Sequence, residues 1–207
     1  MNTELTEKKK LIDHIKSNLK LILSIFSIIL LILIYIVGSN YFDNERRVKI
    51  SEDFIKAKIL IESKKNNEAL ELLINIIEKK DAFYSPLSLF VIIDKSLEKN
   101  QSNIASYFDQ VLSSKNLSEE DLNLIKIKKA IFISEYAEEK DILDLLAPII
   151  ESDSVWKADT IKFLADYNFS SQQFKKALKY YKMLISEDFS NIDISEVNKK
   201  IRIIENE

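Results

Sequence analysis

Any chemistry in this 207-residue chain has to be done by carboxylates, hydroxyls and lysines, because cysteine is absent and histidine and glycine occur once each. Without cysteine there is no thiol nucleophile and no disulfide framework. His14 has no second imidazole with which to hold a metal or form a catalytic dyad. Gly38 stands at the end of an apolar run, so no glycine-rich phosphate loop or dinucleotide turn can be written in the rest of the chain. The acidic run EYAEEKD over 135–141 lacks the glycine and spacing of a calcium loop and reads as a solvated turn between helices. These absences predict no cofactor, no metal and no enzymatic activity. The alternative from a different class is a hydrolase, which requires two carboxylates converging at roughly 5 to 9.5 Å.

The elements that position these residues begin with 22 uncharged residues, LILSIFSIILLILIYIVGSNYF over 21–42. As a helix this stretch is roughly 33 Å long, enough to cross a hydrocarbon core of about 30 Å. Tyr35, Tyr41 and Phe42 fall where an interfacial aromatic belt sits. Val37-Gly38-Ser39 loosely resembles a signal-peptidase site, but the apolar run is longer than a secretory h-region and follows a 20-residue polar tail, so an uncleaved signal anchor is expected. Lys8, Lys9, Lys10, Lys16 and Lys20 precede it, and Arg46, Arg47 and Lys49 follow. The positive-inside rule then puts residues 1–20 in the cytoplasm and the C-terminal part outside it, in the periplasm of a bacterial cell. That tail is net basic while the whole chain is −3, which leaves the remainder mildly acidic and argues against a nucleic-acid partner.

Residues 43–207 are rich in Leu, Ile, Lys and Glu, carry almost no helix breakers, and repeat apolar residues at three and four positions, as in Ala69, Leu72, Leu73, Ile76 and Ile77. An all-α fold is expected. Ser85-Pro86 reads as a helix start with Ser as the cap, and Pro148 is expected to kink or shorten its helix. Small or apolar residues align in three columns: Ala57, Ile93, Ala130, Ala165; Ala69, Ala105, Ile142, Ala177; and Ile76, Leu112, Ile149, Leu184. The spacings of 36, 37 and 35 predict four helix pairs, near 51–83, 84–118, 119–155 and 156–190. Small side chains in the first two columns let paired helices approach, and the third column fills the gap to the next pair.

The last unit resembles the tetratricopeptide repeat, with Leu164-Ala165, Ala177, Tyr181 and Leu184 at the motif's spacings and Ala165 in place of its usual glycine. Asp109 and Ile142 depart from the pattern, standing where an aromatic or leucine and an alanine are usual. With the N-terminal anchor, the stretch LAPIIESDSVWKADTIKFLADYNFSSQQFKKALKYYKMLISEDF makes the chain similar to the bacterial ancillary Sec-translocon family of membrane-anchored tetratricopeptide proteins. The resemblance implies a single-pass inner-membrane protein with a repeat domain over 43–190 in the periplasm. Its implied partners are translocon subunits, periplasmic folding factors or secreted chains, with a chaperone-like role. A scaffold subunit of another envelope complex is the alternative within binding functions.

In a solenoid of this kind the first helices form the concave face. Projecting the repeat onto them directs Phe54, Lys58, Ile61, Phe90, Asp94, Leu97, Ile127, Ile131, Lys162 and Asp166 toward a partner-binding groove. Trp156 is expected to anchor packing at a helix start, and Phe163, Tyr167, Phe169, Phe174, Tyr180 and Tyr181 to form core. Over 191–207, Ile194, Val197, Ile201 and Ile204 make one apolar face, predicting a helix that caps the terminal repeat.

Overall fold

A computed structural model describes residues 19–114, 116–187 and 189–206. Among them are nine α-helices and no strand: α1 Leu19–Glu62, α2 Asn66–Glu78, α3 Tyr84–Asp94, α4 Gln101–Leu112, α5 Glu119–Ile133, α6 Glu139–Glu151, α7 Lys157–Ser170, α8 Phe174–Ser186 and α9 Ile194–Glu205. The chain divides into two compact units, one ending at Glu52 and the other Asp53–Glu207. Residues 1–18 of the basic tail, with His14, lie outside the described residues, as do many side chains of the 21–42 stretch. No helix among the described residues is long and apolar enough to cross a membrane.

Within Asp53–Glu207 the helices pack in a repeat-like order, α2 to α9 each on the next in sequence and α2 also on α4. Side-chain oxygens start several of them. Asn100 accepts from the Ser102 and Asn103 amides, Ser118 from Asp121, and Asp193 from Ser195 and Glu196, satisfying amides that a helix cannot pair itself. The start of α3 differs from its sequence reading. Asp81 Oδ1 takes the Phe83 and Tyr84 amides at 3.0 and 2.8 Å, while Ser85 turns inward and donates its hydroxyl to the Ile76 carbonyl at 2.9 Å. Being wholly buried, Ser85 needs that bond more than the helix needs a second cap. Pro86 remains in the first turn, and α6 continues past Pro148 to Glu151. Lys64, Lys80, Ser96 and Gln172 adopt positive φ just after helices end. These four helix ends are thus turned without glycine, at a cost of about 1 kcal/mol each.

The core obeys a stricter repeat than the sequence columns suggest. In the first, third and fourth helix pairs the buried residues are those expected: Ala57, Ala69 and Ile76; Ala130, Ile142 and Ile149; Ala165, Ala177 and Leu184. In the second pair Ile93, Ala105 and Leu112 are only half-buried, and Ile92, Ile104 and Val111 fill the core instead. With that correction the offsets inside every pair are 12 and 7 residues, and successive pairs are linked by 16, 19 and 16. Apolar residues stand side by side at 92 and 93, at 104 and 105 and at 111 and 112, so pattern alone spreads a three-residue insertion over two intervals. The corrected register also places Phe108, not Asp109, beside Leu73, Leu146 and Tyr181 in a column of large, fully buried side chains.

One core cluster joins α5 and α6 to α7 through Ile127, Ala130, Ile133, Ile142, Leu146, Ile149 and Leu164, with Trp156 packed against it. A second joins α7 and α8 to α9 through Ile161, Ala165, Ala177, Tyr181, Leu184, Val197 and Ile201. Of the aromatic group expected to form core, only Tyr181 is buried; the others are half-buried, Phe163 stacking on Tyr167 at 6.2 Å beside the first cluster and Phe169 meeting Phe174 and Tyr181 at 5.8 and 6.5 Å beside the second. α9 lays Val197 and Ile201 on the last pair, where the sequence placed a cap.

Candidate functional site

The ten residues projected onto the first helices separate by column. Phe54 and Ile127 are buried, and Leu89, which the corrected register substitutes for Phe90, is buried with them. Lys162 is the polar, half-buried member of that column. The next column opens to solvent: Lys58 and Ile131 are exposed, Asp166 is half-buried, and Ile93 replaces Asp94 in the second pair. Asp94 itself is exposed and paired with Lys95 at 2.9 Å. Ile61 is half-buried near the end of α1, and Leu97 is half-buried in the turn beyond α3.

Lys162 and Asp166 are brought together, one turn apart on α7. The ammonium lies 2.8 Å from Asp166 and 3.4 Å from Glu196 on α9, and the Tyr181 hydroxyl on α8 donates to Asp166 at 2.6 Å. Burial works against the Lys162 charge, but the bond to Asp166 and the two carboxylates outweigh it and hold the group above the ordinary lysine value. Burial raises the Tyr181 phenol far above its usual range, and the bond to Asp166 and the nearby negative charges raise it further. A cation shared by two carboxylates, with a phenol that keeps its proton, forms a clasp joining three helices. The sequence projection turned Lys162 and Asp166 toward a groove and gave no sign that they pair, and it did not include Tyr181 and Glu196, whose participation depends on how α8 and α9 pack.

A second feature on the first helices is a cleft of about 240 Å³ between α3 and α5, lined by Phe83, Pro86, Leu87, Phe90, Leu117 and Leu124 among others. Phe83 stands 59% exposed at its edge. The Lys128 ammonium sits 5.1 Å above the Phe90 ring. Of the residues projected from sequence, Phe90 alone lines this cleft. The signal that would have located it is the link of 19 residues between the second and third pairs. Among the described residues no group of three or more His, Cys, Asp or Glu is placed to hold a metal ion.

Comparison with protein-family models, with curated proteins and with solved structures gave no match. The functional reading rests on the chain's own residues and on the resemblance they carry.

Proposed function

We propose that this chain is a membrane-anchored protein-binding module of the bacterial cell envelope, with a tetratricopeptide-like solenoid that receives segments of protein partners and no catalytic role. The observation that carries the reading is the surface of α1: Phe26, Ile28, Ile29, Leu30, Leu31, Ile32 and Ile34 are each roughly half or more exposed. At 100° per residue these side chains point all round the helix, and a helix apolar on every side is suited to lipid. In water each exposed group forgoes about 1.5 to 3 kcal/mol of burial. The helical repeats support the binding role, since stacked helix pairs present extended faces to other chains. The lysine-rich residues before the apolar stretch favour a cytoplasmic N-terminus and a periplasmic solenoid in the inner membrane. The resemblance in the last unit makes translocon subunits, folding factors and secreted chains the partners to test first.

The test joins topology to capture. A reporter fused after Glu207 should be active only if it is one that works outside the cytoplasm, the chain should resist alkaline extraction from membranes, and photocrosslinking from Ile131 in intact membranes should yield a reproducible protein adduct. Activity of a cytoplasm-only reporter would overturn the orientation. Release into the soluble fraction would overturn the anchor.

A further inference from the structure

We propose that the cleft between α3 and α5 binds a polypeptide segment carrying an aromatic or long aliphatic side chain next to a lysine or arginine. The proposal rests on the reading of this chain as a protein-binding module and names the class of segment it receives. The cleft lies where the repeat is broken. Every other link between helix pairs is 16 residues, whereas the 19-residue link to α5 starts that helix one turn early relative to α3 and α7. The added turn carries Glu119, Glu120 and Asp121, and Leu117, just before it, reaches into the cleft. An insertion confined to one interval of an otherwise constant repeat, supplying wall and rim of the same concavity, marks a place where regular stacking was given up for another purpose.

The shape and charge of the cleft specify its occupant. Phe83, Pro86, Leu87 and Leu124 offer an apolar lining of a size suited to one large side chain, and Phe83, 59% exposed, leaves its ring face available at the edge. Glu119 and Asp121 are exposed at the end formed by the added turn. Asp121 accepts the Ser118 hydroxyl at 2.6 Å, while Glu120 turns away to Ser154 at 2.7 Å. Lys128 stands farther along α5 over Phe90 and has no acidic partner among the described residues. A cationic group is attracted to the Asp121 end and repelled at the Lys128 end, so the bound segment has a polarity: its basic residue lies beside the added turn and its apolar side chain over Phe83 and Leu87. The same acidic rim disfavours an anionic lipid surface.

The experiment uses the full chain in lipid nanodiscs and a fluorescent twelve-residue peptide with two lysines followed by Phe-Leu. The controls replace the lysines by glutamates, or Phe-Leu by Ser-Ser. The first peptide is expected to bind at least about tenfold more tightly than either control, a free-energy gap of about 1.4 kcal/mol. Phe83→Ser and Asp121→Asn should each weaken it several-fold without changing the helical content. Equal binding of the three peptides, or binding indifferent to Phe83→Ser, overturns the proposal. A dimer that Phe83→Ser dissociates in sedimentation also overturns it, since the occupant is then a second copy. Photocrosslinkers at positions 83 and 131 in intact membranes separate this idea from the broader reading. An adduct from 131 with none from 83 sinks the cleft and leaves the binding module. Selective peptide binding by a chain that alkaline extraction releases from membranes supports the cleft and sinks the membrane-anchored reading.

Discussion

The fourth helix pair and the second are built from the same columns, yet they pack differently. α7 and α8 lie close along much of their length, α5 and α6 less so, and α3 and α4 least. That order matches the size of the buried residues in the first two columns: Ala165 and Ala177, Ala130 and Ile142, and Ile92 and Ile104. Two methyl groups let backbones approach, and two isoleucines hold them apart. The fourth pair also gains the Lys162, Asp166, Tyr181 and Glu196 clasp and the cover of α9. The second pair stands beside the open cleft. Both pairs bury a polar atom with no partner among the described residues, Ser88 Oγ in α3 and Asn168 Oδ1 in α7, so that feature does not separate them. The fourth pair thus has the closer packing and the additional ties, and the second borders an open apolar cleft.

The largest effect expected from this contrast comes from removing the cover. Truncation of the full chain after Ser190 strips the buried Val197 and Ile201 from the fourth pair, which at about 1.5 to 3 kcal/mol per side chain amounts to a loss of roughly 3 to 6 kcal/mol. The exposed Tyr181 and Leu184 should then drive aggregation. Thermal melts and sedimentation read both effects. A truncated chain with unchanged melting temperature and monomeric behaviour would mean that α9 contributes nothing as a cap.

Single substitutions sharpen the comparison. Ile104→Ala should cost about 2 to 5 kcal/mol, because Ile104 is nearly fully buried, whereas Ala105→Leu should stay within about 0.5 kcal/mol at its half-buried site. In the fourth pair Ala177→Leu overpacks a fully closed contact and should cost about 1 to 3 kcal/mol. Chemical denaturation of the three variants tests the register directly. A severe Ala105→Leu with a mild Ile104→Ala would restore the 36-residue spacing.

Much of this architecture was legible in the chain. Helices, four pairs, three columns and the terminal amphipathic helix all follow from apolar spacing, because each pair must bury one face against the next. The second pair was misread by one residue where apolar neighbours such as Ile92 and Ile93 make the period ambiguous. The inward turn of Ser85 was illegible for a related reason: serine before proline signals a cap, and only the position of α2 supplies the Ile76 carbonyl that competes for the hydroxyl. The solvent-facing column was partly foreseen in Lys58 and Ile131. The cleft was not, since it arises from the added turn of α5 rather than from any periodic position.

A smaller effect comes from opening the clasp. Tyr181→Phe keeps the ring's packing and removes the bond to Asp166, which retains Lys162 as a partner, so the expected loss is about 1 to 2 kcal/mol. The near-ultraviolet spectrum should be largely kept while the melting temperature falls. If Tyr181→Phe melts with the parent chain, the clasp is incidental to holding the three helices.

The smallest effect, and the one with a pH signature, concerns the tie between the third and fourth pairs. Glu139 on α6 takes the Lys176 ammonium of α8 at 2.7 and 2.8 Å and the Gln173 amide at 3.3 Å. The register equivalents between the second and third pairs are Gln101 and Asp141, which cannot form an ion pair. The bond to Lys176 leads in holding the Glu139 carboxyl below the ordinary glutamate value; burial opposes it, and Gln173 and the lysine charge assist. A carboxyl depressed in the folded chain stabilises fully above its unfolded value of about 4.3 and loses that contribution as pH falls through the folded value. Glu139→Gln should therefore be less stable than the parent by about 0.5 kcal/mol at neutral pH, the range of a partly exposed pair, and the gap should close as the solution is acidified below about pH 4. Urea titrations of both chains across that range measure it. A gap that stays constant with pH would mean that the cost of the substitution lies in packing, and that this tie does not distinguish the fourth pair from the second.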